Sequence, residues 1–263
     1  MIKLEGNVVD VNKFPDGTLL LKQDIGYTWG PRAIHIDWFY ENNEEFVTLI
    51  YLVKHLHSHC IDTIHLNMPY VPNARQDRVK ETKDVFTLKY FADIINYLNF
   101  TTVRILDPHS YVSEALIDRI VVESPKQFIE DAIQACSPDL LFFPDEGAMK
   151  RYASMFNKEY TFGIKKRDWV TGKIEGLDVT GCVDKIKDSR ILIVDDICSR
   201  GGTFYHSAKK LKELGAKEIY LYITHCENTI LEGDLLTSGL VEKVFTTNSI
   251  FTKEHEKIEV FEL

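Results

Sequence analysis

The segment ILIVDDICSRGGTF, residues 191–204, combines two adjacent carboxylates with a short polar loop that contains paired glycines. Asp195 and Asp196 end an apolar run, and the loop 197–203 leads into a helical pattern. Backbone N–H groups at the start of a helix bind anions, and glycine lets a ligand approach the backbone closely. Carboxylates beside such a site can accept hydrogen bonds from sugar hydroxyls. The pattern therefore favours a phosphorylated sugar as ligand over a turn with solvated acids.

A second polar cluster, MPYVPNARQDR at 68–78, follows another apolar run. Arg75 and Arg78 offer two cations that suit a polyphosphate. Gln76 and Asp77 can form hydrogen bonds with the edges of a nucleotide. The clusters DPHS, PDEGAMKR and THCEN also follow apolar runs. Since ligands of α/β sheets bind at the carboxyl ends of strands, all these clusters are candidates for site residues.

The elements that would carry these clusters alternate along the chain. Short apolar runs predict strands at 62–70, 102–107, 139–145, 190–196, 218–225 and 243–249. Several are apolar on both faces, which is typical of buried parallel strands. Helical periodicity predicts helices at 43–59, 86–98 and 204–214, with Asn42 or Asn43 as a cap and Gly215 as a terminator. The alternation predicts an α/β protein with parallel sheets, in two domains of roughly 1–135 and 136–263.

Composition narrows the class of protein further. The chain has 263 residues, of which 44% are hydrophobic, and a formal net charge of −9. An acidic chain without basic runs is a poor general binder of nucleic acid or membrane surfaces. Its five scattered cysteines contain no CxxC motif, which favours reduced thiols over disulfides or a zinc site. Without a signal-like or membrane-spanning apolar run, we expect a cytoplasmic protein.

The loop SRGGT with its two preceding aspartates resembles the fingerprint of the type I phosphoribosyltransferase fold, which binds the 5-phosphate of a ribose. The ARQDR core resembles the ATP-binding segment of ribose-phosphate diphosphokinases, the enzymes that make phosphoribosyl pyrophosphate (PRPP). Transferases that consume PRPP lack this segment. The resemblance implies two pseudo-duplicated parallel-sheet domains of phosphoribosyltransferase type. The N-terminal domain would carry the ATP-binding segments, and the C-terminal domain the sugar-phosphate and catalytic loops.

Further motifs follow in the order of that family. NKFPDGT at 12–18 resembles the hairpin that presents a phenylalanine and an aspartate to adenine bound by a neighbouring subunit. The resemblance therefore implies a homo-oligomer, at least a dimer. The predicted ATP-binding residues are Phe14, Asp16, Arg75, Gln76, Asp77, Arg78 and His109. The predicted sugar-phosphate residues are Asp195, Asp196, Ser199, Arg200, Gly201, Gly202 and Thr203.

The resemblance also implies a metal and a catalytic cation pair. His109 in DPHS and Asp145 in FFPDEGAMKR would bind Mg²⁺. FGIKKRDWVTGKIEG at 162–176 occupies the place of the mobile catalytic loop, where Lys166 would be the catalytic lysine and Arg167 its partner. Lys165 could exchange roles with Lys166, because the basic run is ambiguous.

The implied reaction is pyrophosphate transfer from Mg-ATP, the co-substrate, to the anomeric hydroxyl of ribose 5-phosphate. The products are PRPP and AMP, and catalysis is mainly positioning and charge neutralisation. A PRPP-consuming transferase is less expected, because ARQDR and His109 serve ATP. A catalytically inactive partner of a true synthetase is less expected because the candidate catalytic residues are present. Neither nucleic acid nor membrane is an expected partner.

The chain resembles a short and divergent member of the family. Its sugar-phosphate loop and its hairpin both depart from the family pattern. The family's loop usually reads Asp-Thr-Gly-Gly-Thr, and here Ser199 and Arg200 replace the first two residues. Arg200 indicates a variant ribose 5-phosphate pocket, a sugar with a 5-diphosphate such as ADP-ribose, or a surface arginine turned to solvent. ADP-ribose would place the same chemistry in NAD synthesis. Thr18 stands where the family's hairpin commonly has glutamate.

Overall fold

The computed structural model describes residues 1–24, 33–167 and 174–263, with the backbone alone for 165–167 and 174–177. It divides into two compact units, Met1–Ser124 and Pro125–Leu263. The predicted boundary near residue 135 lies at the end of the helix Lys126–Cys136, whose buried residues pack on the sheet of the second unit.

The first unit contains a mainly parallel sheet and a separate hairpin. The strands are β1 (Ile2–Leu4), β2 (Asn7–Val8), β3 (Val11–Lys13), β4 (Leu19–Leu21), β5 (Ala33–Trp38), β6 (Thr63–Asn67), β7 (Thr102–Leu106) and β8 (Ile120–Glu123). The helices are α1 (Asn43–Ser58), α2 (Thr87–Tyr97) and α3 (Tyr111–Leu116). The sheet has the order β2-β1-β5-β6-β7-β8, with β5 to β8 parallel, and β3 pairs with β4 in the hairpin.

Helices α1 and α2 form where the sequence predicts them, and they share one hydrophobic core with the sheet. Asn42 caps α1, because its side chain accepts hydrogen bonds from the N–H groups of Glu44 and Glu45. The buried residues of both helices lie in the same core cluster as Ile36 and Leu66. The central strands alternate between buried apolar and more exposed polar residues, so the sheet buries one face here.

The second unit has a sheet that is buried on both faces. Its strands are β9 (Leu140–Phe143), β10 (Tyr160–Arg167), β11 (Ile174–Gly181), β12 (Arg190–Cys198), β13 (Glu218–Cys226), β14 (Lys243–Thr247) and β15 (Ile258–Phe261). Its helices are α4 (Lys126–Cys136), α5 (Glu146–Tyr152) and α6 (Gly202–Glu213). The order is β11-β10-β9-β12-β13-β14-β15, and every neighbouring pair is parallel except β10 and β11.

Strand β12 shows why this sheet needs helices on both sides. Ile191 and Ile193 point into the core shared with α6, whereas Leu192 and Val194 point into the core shared with α4 and α5. The strand also extends further than the predicted 190–196. Parallel pairing with β13 continues through Cys198, so the loop before α6 is shorter than the sequence indicates. The predicted α/β class with parallel-sheet domains is confirmed.

Candidate active site

The loop between β12 and α6 has the backbone geometry of an anion site at the start of a helix. Gly201 precedes α6 with a φ of +81°, which favours glycine, and no side chain among the described residues caps this helix. A Cβ at Gly201 would lie 2.9 Å from Leu235, whereas a Cβ at Gly202 would have no neighbour within 4 Å. The first N–H groups of α6 therefore start from a tightly fixed turn and an open side, which suits a phosphate.

The two aspartates before this loop have different electrostatic environments. The Asp196 side chain is 7% exposed, and its Oδ2 lies 3.0 Å from Arg151 Nη1 in an ion pair. Burial, reinforced by the charges of Asp196 and Asp145, raises the pKa of Asp195 well above its usual range. The Asp196 N–H group donates to Asp195 Oδ1 at 3.0 Å, which opposes part of this rise. One carboxylate is thus paired with a cation and its neighbour is under charge repulsion.

Arg151 is a site residue that the sequence analysis missed. It lies in the last turn of α5, the helix that Asp145 caps by accepting hydrogen bonds from Gly147 and Ala148, both at 3.1 Å. Its side chain is 18% exposed, which makes the pair with Asp196 mostly buried. The sequence signal for Arg151 is its place in the same FFPDEGAMKR segment as Asp145. Helical periodicity alone does not distinguish its mostly buried side chain from that of the exposed Lys150.

Arg200 has a partner outside the loop. Its Nη2 atom lies 3.0 Å from Glu232 Oε2, in an ion pair whose side chains are 72% and 59% exposed. Ser199 Oγ lies 3.2 Å from Thr229 Oγ1 on the same segment. A Cβ at Gly233 would lie 2.0 Å from the Arg200 carbonyl oxygen, so the two backbones are in close contact there. The segment 228–233 thus supports the loop, a contact that no local sequence pattern indicates.

In the first unit, Asp77 connects two of the predicted nucleotide-binding segments. Its Oδ1 accepts a hydrogen bond from Arg78 Nε at 2.7 Å, and its Oδ2 accepts one from Ser110 Oγ at 2.7 Å. Ser110 also caps α3 by accepting the N–H of Val112 at 3.2 Å. The Arg78 hydrogen bond, helped by Ser110 and the charges of Arg78 and His109, lowers the pKa of Asp77. ARQDR and DPHS therefore meet at one ionised carboxylate.

Gln76 and Arg75 both lie at the surface, and Gln76 is bonded to a helix. The Gln76 side chain accepts a hydrogen bond from the hydroxyl of Thr87, the first residue of α2. The Gln76 carbonyl accepts the N–H of Leu88 at 3.4 Å, so the segment is tied to the start of α2. Arg75 is exposed. The structure thus holds the exposed Gln76 against the start of α2, and the Arg75 side chain also lies at the surface.

The β3–β4 hairpin presents Phe14 and builds its turn on Asp16. Phe14 is 50% exposed, although large aromatic side chains usually avoid water. Asp16 Oδ1 accepts hydrogen bonds from the Thr18 N–H at 3.0 Å and from the Thr18 hydroxyl at 2.7 Å. These bonds, the backbone one foremost, lower the pKa of Asp16. Thr18, a departure from the family pattern, therefore fixes the side chain of a predicted adenine-binding residue.

The predicted catalytic cations lie partly outside the described residues. The backbone of Lys166 pairs with Gly176 and that of Arg167 with Ile174, so both positions belong to β10 rather than to a loop. The pairing shifts between them, which marks an irregularity in the hairpin. The side chains of Lys165, Lys166 and Arg167 lie outside the described residues, and their catalytic roles stay predictions.

The metal ligands also stay predictions. In the described part of the chain, no group of three or more histidine, cysteine or acidic side chains is placed to hold a metal ion. Asp145 nonetheless contributes to the raised pKa of Asp195, so these carboxylates repel one another. A divalent cation beside Asp145 would relieve that repulsion, and carboxylate oxygens suit Mg²⁺. Asp145 therefore has the chemistry of a magnesium ligand, and its role stays a prediction.

Comparison with known proteins gives consistent relatives along nearly the whole chain. No family model matches. The ribose-phosphate pyrophosphokinase of Thermococcus kodakarensis is 28% identical over 251 residues, which cover 93% of this chain and 86% of the relative. The enzyme of the same name from Bacillus subtilis is 28% identical over 229 residues, covering 83% of this chain and 70% of the relative. Phosphoribosylpyrophosphate synthetase from Mycobacterium smegmatis has a similar structure, with a TM-score of 0.80 and 18% identity over 97% of this chain and 86% of that one.

The fold is an α/β fold of the phosphoribosyltransferase type, and its second unit contains the loop that the sequence predicts to bind a sugar phosphate. Within that class, the chain is similar to ribose-phosphate pyrophosphokinases (PRPP synthetases), the family that the sequence motifs resemble. No helix in the described residues is long and apolar enough to cross a membrane.

Proposed function

We propose that this protein is an ATP-dependent diphosphokinase that transfers pyrophosphate from Mg-ATP to the anomeric hydroxyl of ribose 5-phosphate, giving PRPP and AMP. The observation that carries this proposal is the Asp77 contact that joins ARQDR to DPHS. A transferase that consumes PRPP has no use for an organised nucleotide-binding segment of this kind. The ribose-phosphate pyrophosphokinases to which the chain is similar support the same reaction.

In this reaction the chain mainly positions charged groups. The N–H groups at the start of α6 hold the 5-phosphate, and Asp195 and Asp196 accept hydrogen bonds from the ribose hydroxyls. Arg75 and Arg78 neutralise the polyphosphate. The anomeric oxygen forms a bond to the β-phosphorus, the bond from that phosphorus to the α–β bridging oxygen breaks, and AMP leaves. The hydroxyl proton passes to solvent or a nearby base.

Lys166 and Arg167 would stabilise the charge that develops on the transferring group. A bound magnesium ion would neutralise phosphate charge, with His109 and Asp145 as its predicted protein ligands. If they serve this purpose, His109→Ala and Asp145→Ala each raise the magnesium concentration needed for half-maximal activity. Unchanged magnesium titrations in both variants would contradict the assignment.

A homo-oligomer, at least a dimer, is part of the proposal. The half-exposed ring of Phe14 is available to stack on adenine bound by a neighbouring subunit. All five cysteines are free thiols, which fits work in the reducing cytoplasm. The ligands are then ATP and a 5-phosphorylated ribose. Phe14→Ala should weaken ATP binding only under conditions where the protein assembles.

The direct test is AMP formation from Mg-ATP with and without ribose 5-phosphate, measured by chromatography. We expect AMP to appear only with the sugar. ADP-ribose is assayed in parallel, because the same chemistry on that sugar is the second candidate, and the relatives favour ribose 5-phosphate. Adenine with PRPP serves as the control for a transferase. AMP formation in the absence of any sugar phosphate would contradict the proposal. So would AMP formation from adenine and PRPP by a protein that forms no AMP from Mg-ATP and ribose 5-phosphate.

A further inference from the structure

Arg200 and Glu232 are held opposite each other by the backbones on which they lie. The Cα of Gly233 approaches the Arg200 carbonyl so closely that a Cβ would come within 2.0 Å of that oxygen. The N–H of Glu227 donates to the Cys198 carbonyl at 2.8 Å, and Thr229 Oγ1 donates to Glu227 Oε2 at 3.1 Å. Glu232 is therefore brought to the loop by a fixed segment that follows β13.

This arrangement matters because Arg200 is the one residue that adds a positive charge to the loop sequence SRGGT. Its guanidinium already has a carboxylate partner, at 3.0 Å. A phosphate bound to the N–H groups of α6 does not need the guanidinium, because those groups and the helix dipole hold it. A second phosphate on the same sugar would need another cation, and it would compete with Glu232 for Arg200.

We propose that Glu232 is a specificity-determining residue. By pairing with Arg200 it occupies the cation that a sugar 5-diphosphate would use, so the loop selects a sugar with a single 5-phosphate. The inference rests on the proposed function, since it concerns the sugar substrate of that same site. It also explains how a loop that contains an added arginine keeps the ordinary monophosphate preference of the relatives.

The test compares affinities by calorimetry without ATP, so that it is independent of turnover. Ribose 5-phosphate and ADP-ribose are titrated into the wild type, Glu232→Gln and Glu213→Gln. Glu213 is a matched control, because it is 55% exposed and lies 3.9 Å from Lys210 in an ion pair at the end of α6. We expect Glu232→Gln to raise the affinity for ADP-ribose relative to ribose 5-phosphate by about threefold, the scale of an exposed ion pair. Glu213→Gln should leave the ratio unchanged.

The double variant Arg200→Thr/Glu232→Gln shows whether the gain needs the guanidinium, and we expect the gain to disappear. An unchanged affinity ratio in Glu232→Gln, a gain that persists in the double variant, or a wild type that binds neither sugar overturns the inference. Failure of the proposed function is seen separately, as absence of AMP formation by the wild type with ribose 5-phosphate.

Discussion

The hydroxyl of Ser110 donates a 2.7 Å hydrogen bond to the carboxylate of Asp77, and this contact joins two segments that lie 33 residues apart. Asp77 therefore has a structural role, the linking of Arg78 to Ser110, in addition to the predicted contact with a nucleotide. The carboxylate holds Arg78 on one side and the start of α3 on the other. We infer that Asp77 positions Arg78 and the start of α3, which lie in the predicted ATP-binding segments.

Ser110→Ala removes both the hydrogen bond to Asp77 and the cap of α3. We expect unfolding free energy to fall by about 1 kcal/mol, as is usual for loss of a cap. ATP affinity should fall while affinity for the sugar phosphate stays constant. Urea denaturation and calorimetry measure these effects, with the exposed Ser58→Ala as control. Loss of sugar affinity together with ATP affinity would argue against a local role for this contact.

Asp195 should reduce the stability of the fold at neutral pH. Burial, with the charges of Asp196 and Asp145, raises its pKa in the folded state. The folded state therefore holds this proton more tightly than the unfolded chain. The stabilisation that this proton gives the folded state is fully present below the unfolded pKa of about 3.9. It is lost as the pH rises through the raised pKa of the folded state.

At pH 8 the free energy of unfolding of Asp195→Asn should consequently exceed that of the wild type by roughly 1 kcal/mol. Substitutions that relieve strain at functional sites often stabilise a protein in this way. The difference should shrink as the pH falls, because the wild-type carboxyl becomes neutral. Activity should be lost in the same variant, which no longer presents a carboxylate to the ribose. Thermal unfolding across pH provides the measurement. A destabilised variant at pH 8 would show that repulsion does not dominate at this position.

Arg151→Met should be the most destabilising of these changes, because it leaves the Asp196 carboxylate in the interior without its cation. Breaking a mostly buried ion pair costs about 3 kcal/mol. Arg151→Met/Asp196→Asn should recover part of the loss, since both charges are then absent. Lys150→Met is the control, because that lysine is 68% exposed and pairs with Glu146 at the surface. Equal losses in the single and double variants would rule out electrostatic compensation between Arg151 and Asp196.

Lys166→Ala should lower kcat by about a hundredfold with little change in ATP affinity. A cation that meets charge only in the transition state contributes roughly 3 kcal/mol to the barrier and little to ground-state binding. Lys165→Ala is the natural comparison, because the basic run leaves the two lysines interchangeable in sequence. Loss of activity in Lys165→Ala alone would exchange their roles. Near-normal kcat in both variants would remove this segment from catalysis.

The amphipathic helices and buried strands were predictable, because their apolar residues repeat with a clear period. The cap at Asn42 and the strand-end position of Asp195 follow from the same local rules. The first unit's β5 was missed, although AIHIDW alternates as a half-buried strand does. The segment KKR lies in a predicted loop, yet its backbone pairs with β11 as part of β10.

The site contacts were harder to predict, because they join residues that are distant in sequence. Arg151 and Asp196 are 45 residues apart, and Arg200 and Glu232 are 32 apart. Local periodicity identifies which face of an element is apolar, but it does not show which charged side chains meet. The sequence therefore predicted the classes of group at the strand ends, whereas the pairings that set their charge required the fold.

The measurement that tests the central claim most directly is ³¹P NMR of the products formed from Mg-ATP and ribose 5-phosphate. Transfer of the β- and γ-phosphates together predicts a diphosphate on the anomeric carbon of the sugar and one AMP for each sugar converted. A single-phosphoryl kinase would instead give ADP and a sugar bisphosphate. Detection of ADP and a sugar bisphosphate as the primary products would contradict pyrophosphate transfer.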